Sequence, residues 1–220
     1  MRGVLPLLLM GCVRVPTLPE RADLLLAEHT VDFADRTWWL RDGDVRAGAG
    51  PGWWSSRGAA VVDGALHLSM TPGPRWRGVE LMTPLPPGRH TVEVDVEVSL
   101  PPDVIAGLFR YRSDTSELDV ELGQWGDPGV ANAQYAIGPA SRPGNVWRFD
   151  TKGRRQTHRI AVAPGRVDFE SRWEGGDIHW TYEGPDQPQR AAHALHLNLW
   201  SVDGVPDGPA ELVVHDVRVR

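Results

Sequence analysis

The stretch Ser116-Glu117-Leu118-Asp119-Val120-Glu121-Leu122-Gly123-Gln124-Trp125-Gly126 decides how this chain is read. Acidic and apolar residues alternate strictly from Glu117 to Leu122. Period two is the mark of an extended strand, whose successive side chains point to opposite faces. Glu117, Asp119 and Glu121 therefore share one face. Leu118, Val120 and Leu122 share the other, which belongs in a core. Three like charges side by side are costly unless water covers them or a reaction uses them.

The geometry suits one reaction. At about 3.3 Å per residue, Glu117 and Glu121 are roughly 13 Å apart at Cα. Hydrolysis of a glycosidic bond with retention needs two carboxyl groups about 5–5.5 Å apart. Each glutamate must then lean inward by roughly 4 Å, which is easiest on the concave side of a curved strand. Asp119 is too short for that reach and suits the middle. There it can hold a glutamate by a hydrogen bond and raise its pKa by like-charge repulsion.

The chain carries its own control. Val92-Glu93-Val94-Asp95-Val96-Glu97-Val98 has the same spacing, and a half-buried strand with one face in water produces it without any chemistry. Order and context separate the copies. Asp63-Gly64-Ala65-Leu66-His67-Leu68 is followed by Gly78-Val79-Glu80, then Gly88-Arg89-His90-Thr91-Val92-Glu93, then the apolar run Val104–Tyr111, then Glu117–Glu121. This succession, with Glu-Leu-Asp-Val-Glu-Leu-Gly at its end, resembles glycoside hydrolase family 16. In that family the catalytic strand reads Glu-apolar-Asp-apolar-(optional residue)-Glu. The resemblance implies Glu117 as nucleophile, Asp119 as assistant and Glu121 as general acid/base. The optional bulge residue is absent, a form associated in the family with lichenases and xyloglucan-active members. The acids at 93–97 fall on the strand before the apolar one and are expected to be structural or cleft-lining.

Downstream, Leu195-His196-Leu197-Asn198-Leu199-Trp200 resembles the family's Asn-Leu-Trp strand. Alternation puts His196, Asn198 and Trp200 on one face. Thr157-His158-Arg159-Ile160 with Pro164-Gly165 resembles a further family segment. Val162 replaces a common Trp there, and Phe169-Glu170-Ser171-Arg172 replaces a Tyr-Val-Asp-Gly. The resemblance spans roughly residues 30–220. It implies a two-sheet antiparallel β-sandwich, a concanavalin A-like jelly roll, and a retaining endo-acting glycosidase on a β-glucan-like polysaccharide.

The rest of the chain agrees with an all-β fold. Gly and Pro number 24 and 19 of 220 residues, which punctuates many short strands. Strands are expected at 59–62, 65–70, 90–98, 104–112, 117–122, 132–138, 157–163, 166–171, 177–182, 193–200 and 211–219. Turn signals such as Asp63-Gly64, Pro87-Gly88, Asp127-Pro128-Gly129 and Asp203-Gly204 separate them. A single short helix is expected near residues 19–28. The run of short strands predicts an all-β sandwich or jelly roll.

Net charge is −6 and Lys152 is the only Lys. The arginines are spread along the chain without a stripe, which argues against a nucleic-acid partner. Adjacent Trp38-Trp39 and Trp53-Trp54 cannot both face the core of a strand. Exposed indoles stack on sugar rings. Trp125, close to Glu121, and Trp200 are expected in the cleft, with His196 and Asn198 as further substrate contacts. His193 and His196 point to opposite faces of a strand and make a poor metal pair. Asp42-Gly43-Asp44 reads as a turn rather than a calcium loop. No metal and no cofactor are expected, and the protein is expected to be a monomer.

At the N-terminus, Arg2 precedes a short apolar run, Val4–Met10, too short to span a bilayer. It ends in Leu9-Met10-Gly11-Cys12, which resembles a bacterial lipobox. Cys12 is the only cysteine, so no intrachain disulfide can form. The expectation is a signal peptide over 1–11, a lipid on Cys12, a tether over 12–28 and a domain over 29–220. Val13 after the Cys favours the outer membrane or cell surface. A membrane partner is thus expected only through the lipid. The alternative function is a non-catalytic carbohydrate-binding or surface module on the same sandwich, since a fold does not fix an activity.

Overall fold

A computed structural model describes residues 26–43, 53–73, 77–86, 88, 90–113, 115–187, 194–202 and 205–220. Its strands, in chain order, are β1 (Leu26–Phe33), β2 (Arg36–Arg41), β3 (Trp53–Trp54), β4 (Ala59–Val62), β5 (Ala65–Met70), β6 (Arg77–Pro84), β7 (Thr91–Ser99) and β8 (Val104–Ser113). They continue with β9 (Ser116–Leu122), β10 (Ala133–Ile137), β11 (Val146–Phe149), β12 (Arg155–Ala163), β13 (Arg166–Trp173), β14 (Gly176–Tyr182), β15 (Ala194–Ser201) and β16 (Ala210–Val219). The only helical turn among the described residues is a short 3-10 segment, Ser56–Gly58.

The strands form two sheets. A nine-stranded sheet runs β1-β2-β6-β15-β8-β9-β10-β11, with β3 paired to β6. A seven-stranded sheet runs β14-β13-β12-β7-β16-β5-β4. Every pairing between these strands is antiparallel except the short β3–β6 contact. The two sheets enclose one continuous apolar core. In β9, Leu118, Val120 and Leu122 are at most 2% exposed and join Leu66, Val94 and Phe169 in that core. Each such burial removes a side chain from water for about 1.5–3 kcal/mol before conformational entropy is counted. It fixes the opposite face of β9, with the three acids, away from the second sheet.

Aromatic packing closes the region beneath β10. Tyr135 stacks on Phe169 at 4.9 Å and lies 4.4 Å from Phe149. Trp180 stacks on Phe169 at 5.5 Å, and Trp147 and Trp180 both pack against the core. These indoles are thus structural. In β2, Trp38 is fully buried while Trp39 is only half-buried on the other face, as strand alternation requires. The β4–β5 connection is the expected Asp63-Gly64 turn. Both residues have positive φ, 51° and 80°, the geometry of a two-residue hairpin loop.

All eleven strands expected from alternation form, each within two residues of its expected ends. The helix expected over 19–28 is corrected in part: residues 26–28 belong to β1, and 19–25 lie outside the described residues. β1 likewise begins inside the expected tether 12–28. The leader 1–11, Cys12, Asp44 and His193 lie outside the described residues. β1, β2, β3, β6 and β11 lie beyond the expected strands. β11 has only four residues, β3 only two, and Gly78 to Thr83 of β6 are buried on both faces, so no alternation marks them.

Candidate active site

The site is built from rungs of the nine-stranded sheet. Directly paired residues of antiparallel neighbours present their side chains on the same face. Glu121 pairs with Gly107 on β8 and with Gln134 on β10. Gly107 pairs with Asn198 on β15, which pairs with Glu80 on β6. Gln134 pairs with Arg148 on β11. One rung thus reads Glu80, Asn198, Gly107, Glu121, Gln134, Arg148. The next reads Met82, His196, Phe109, Asp119, Ala136, Val146. In the third, Glu117 stands beside Tyr111, which pairs with Ala194. The face is sunken rather than open: Glu80, Met82, Phe109, Tyr111, Gln134 and His196 are all buried, although they point away from the core between the sheets.

The three acids share this face, as alternation demands. Asp119 is hydrogen-bonded to Glu117. Burial pushes the Asp119 carboxyl well above the usual carboxylate range, and the charges of Glu117 and Glu121 and the bond to Glu117 push it further. Burial also raises Glu121, against the opposing pull of the Gln134 hydrogen bond and the Arg148 charge. Three carboxyls this close cannot all ionise. Asp119 and Glu121 therefore keep their protons more readily than free carboxyls, and a protonated Asp119 is a donor toward Glu117.

Glu121 is held from the β10 side. The Gln134 side-chain amide donates to its Oε2, and Gln134 Oε1 accepts from Arg148 Nε at 3.2 Å. The Arg148 guanidinium lies 4.8 Å from the ring centre of Trp125. Trp125, expected near Glu121, sits in the loop after β9 with φ of 50°, a strained conformation for a bulky residue.

Gly107 leaves the space that the other side requires. Its backbone N–H donates to Asn198 Oδ1 at 3.0 Å, and a Cβ there would come within 2.4 Å of that oxygen. Asn198 is therefore fastened to the floor beside Glu121. Trp200 is half-buried and rests against the edge of the core.

His196 occupies the expected face but is not a surface contact, a correction to its expected role as a substrate ligand. It is fully buried, with Nδ1 2.8 Å from Glu80 Oε1 and its ring stacked on Phe109 at 4.8 Å. Arg41 Nη1 donates to Glu80 Oε2 at 2.8 Å and lies over Trp54 at 4.8 Å. Burial alone would raise Glu80, but the hydrogen bond and charge of His196, together with Arg41, hold it below the ordinary carboxylate value. His196 thus fills the β15 side of the same face.

The acids of the other copy are elsewhere. Glu93, Asp95 and Glu97 lie on β7, in the opposite sheet, and are ion-paired on its outer surface. Arg172 and Arg218 each reach Glu93 at 3.1 Å, Arg155 reaches Asp95 at 2.8 Å and Arg154 reaches Glu97 at 3.5 Å. They do not approach Glu117–Glu121. Sequence reasoning missed Gly107, Gln134, Arg148 and the Arg41–Glu80 pair. Gln134 alternates with Ala133 and Tyr135, but nothing local says which strand it faces. Among the described residues no group of three or more His, Cys, Asp or Glu is arranged to hold a metal ion. Asp42 instead accepts a hydrogen bond from Ser56 Oγ at 3.1 Å.

No family model matches the chain, and no curated protein matches it. Solved structures do match. A prokaryotic β-1,3-1,4-glucanase (lichenase) from a mouse hindgut metagenome has a TM-score of 0.65 at 18% identity, over 83% of this chain and 91% of that one. A β-glucanase of Bacillus licheniformis has a TM-score of 0.64 at 16% identity, over 83% and 91%. An immunostimulatory antigen of Mycobacterium tuberculosis described as a pseudo-β-1,3-glucanase has a TM-score of 0.64 at 17% identity, over 83% and 90%. At such identities the likeness is one of fold, and together with the two antiparallel sheets it identifies this chain as a β-sandwich with the jelly-roll fold of the β-glucanases.

Proposed function

We propose that the protein is a retaining, endo-acting glycoside hydrolase on a β-glucan-like polysaccharide, with Glu117 as nucleophile, Asp119 as its assistant and Glu121 as acid/base. The observation that carries this reading is the gathering of Glu117, Asp119 and Glu121 on one sunken strand face, with Asp119 bonded to Glu117 and Glu121 held by Gln134. Burial raises both Asp119 and Glu121, and the charges of its two neighbours raise Asp119 further. A protonated Glu121 gives its proton to the glycosidic oxygen as the bond to the anomeric carbon breaks. The Glu117 carboxylate bonds to that carbon, steadied by the hydrogen bond with Asp119. Glu121, now a carboxylate, takes a proton from water, the water oxygen attacks the anomeric carbon, and Glu117 leaves. Configuration is retained. Trp125 and Trp200 supply ring platforms and Asn198 a polar contact.

The two glutamates should fail differently. With a substrate bearing a good leaving group, Glu121→Ala still forms the glycosyl-enzyme, and added azide gives a glycosyl azide of retained configuration. Glu117→Ala leaves space on the opposite side of the sugar, and azide gives the inverted product. Swapped configurations reverse the assignment. Activity that survives both substitutions removes it. A non-catalytic carbohydrate-binding module is the second reading, favoured by one feature: Arg41 and His196 both close on Glu80, so the β6 end of the face is filled. Sugar binding with no turnover in the wild type would select it.

We further propose that the protein is a lipid-anchored, monomeric protein of the cell envelope, held through Cys12. Labelling with a radioactive fatty acid in a bacterial host should tag the wild type and not Cys12→Ser. An unlabelled wild type excludes the anchor.

A further inference from the structure

The rung beyond Glu121 has a use that the hydrolytic steps do not call on. β10 and β11 place Gln134 and Arg148 in register with Glu121. The links are continuous: Glu121 Oε2 accepts from Gln134, Gln134 Oε1 accepts from Arg148 Nε at 3.2 Å, and the guanidinium lies against the Trp125 ring at 4.8 Å. Gln134 is buried, while Arg148 is exposed. An exposed arginine with rotamer freedom does not hold one pose without a partner on each side. Here the Gln134 carbonyl oxygen fixes its Nε, and the indole fixes its plane. Trp125 in turn is brought there by a strained backbone between two glycines of positive φ, Gly123 at 150° and Gly126 at 81°. Strain of that kind persists only where the surroundings enforce it.

We propose that Gln134 and Arg148 are positioning residues which, clamped by Trp125, orient the Glu121 carboxyl and couple a fixed positive charge to it. The proposal rests on the reading of Glu121 as acid/base. The amide of Gln134 can satisfy both neighbours in one orientation only. Its oxygen must face the Arg148 donor, so its N–H must face Glu121. Arg148 thereby also selects the amide orientation. Among the described residues, the charged groups that the sheet sets beside Glu121 are few. On its own strand stand Asp119 and Glu117, both acidic. β8 contributes Gly107, without a side chain, and β15 beyond it contributes Asn198. β10 contributes neutral Gln134, and β11 contributes Arg148. Arg148 is therefore the positive charge of this rung on the β10–β11 side, opposing two acids. Consistent with this, the Arg148 charge and the Gln134 hydrogen bond are the influences that lower Glu121, against burial.

The test reads the Glu121 proton directly, so that it does not depend on turnover. Protein carrying glutamate labelled with 13C at the side-chain carboxyl is titrated by NMR, and the Glu121 signal is assigned from its absence in Glu121→Gln. Arg148→Met should raise the Glu121 midpoint by about one pH unit. Arg148→Lys, which keeps the charge and a donor, should return it toward the wild-type value. Trp125→Ala should move it part of the way, because the unclamped arginine is mobile, and Trp125→Phe should move it less. In parallel, the pH profile of kcat/KM on mixed-linkage β-glucan should show its alkaline limb displaced upward in Arg148→Met. A midpoint that moves in a protein without hydrolytic activity keeps the relay and removes the glycosidase reading. A Glu121 midpoint unchanged to within about 0.3 units in both Arg148→Met and Trp125→Ala overturns the relay, whatever the activity. Circular dichroism melts identify any variant that fails to fold, and Arg148→Lys and Trp125→Phe then remain to decide.

Discussion

Replacing His158 with glutamine should flatten the acid side of the stability curve. His158 lies on β12 between the two sheets and is buried. Its Nδ1 is 2.7 Å from Ser171 Oγ, and the same hydroxyl accepts from the Tyr135 hydroxyl at 2.7 Å. Its Nε2 is buried without a partner, so an imidazolium formed here has one proton with nothing to receive it. Burial pushes the His158 pKa down to about 3, against an opposing influence from Asp95. In the unfolded chain the same ring titrates near 6.5. The folded protein therefore binds fewer protons over that interval. Its stability is complete above about pH 6.5 and is lost as pH falls toward 3. At roughly 1.4 kcal/mol per unit, a drop from about pH 7 to about pH 4.5 costs about 3 kcal/mol through this residue alone. Glutamine keeps a group able to bond Ser171 but cannot titrate. The assay is urea unfolding of wild type and His158→Gln at both pH values, followed by tryptophan fluorescence. Carboxylates that titrate in the same range are common to both proteins and cancel in the double difference. The wild type should lose about 3 kcal/mol more than the variant between the two pH values. A double difference below about 0.5 kcal/mol would refute the reasoning, since it would mean that His158 is protonated in the fold with little penalty.

Two further outcomes follow from the floor of the site. Asp119→Asn should have the opposite pH signature. The raised folded pKa of Asp119 means that its favourable neutral form is fully present below about pH 4 and is lost as pH rises, so the variant should match wild type at low pH and melt higher at alkaline pH while hydrolysing more slowly without a change of stereochemistry. Thermal melts across pH check the first part and product NMR the second. Gly107→Ala should destabilise by about 1–3 kcal/mol, because its Cβ meets Asn198 Oδ1, and Asn198→Ala in the same chain should recover part of the loss. An additive double mutant would place the clash elsewhere.

Alternation is a property of one strand, so one strand's sequence settles it. Glu117, Asp119 and Glu121 had to share a face, and Leu118, Val120 and Leu122 had to share a core face, whatever their neighbours. The same holds for His196, Asn198 and Trp200, and the Asp63-Gly64 turn is legible because its backbone demands residues that tolerate positive φ. Partnership between strands is not local. The 93–97 and 117–121 runs are alike in sequence, yet the acids of β7 lie among arginines on the outer surface of the seven-stranded sheet and those of β9 on the sunken face of the nine-stranded one. Gly107, Gln134, Arg148 and Asn198 reach Glu121 only through register between strands that are distant along the chain. Burial is likewise collective: the membership of His196 in its face is legible in the sequence, but its enclosure there by Glu80, Phe109 and Tyr111 is not. Side-chain direction follows from backbone geometry two residues at a time, whereas sheet membership, register and the proton balance of the site follow from how all the apolar faces are buried at once.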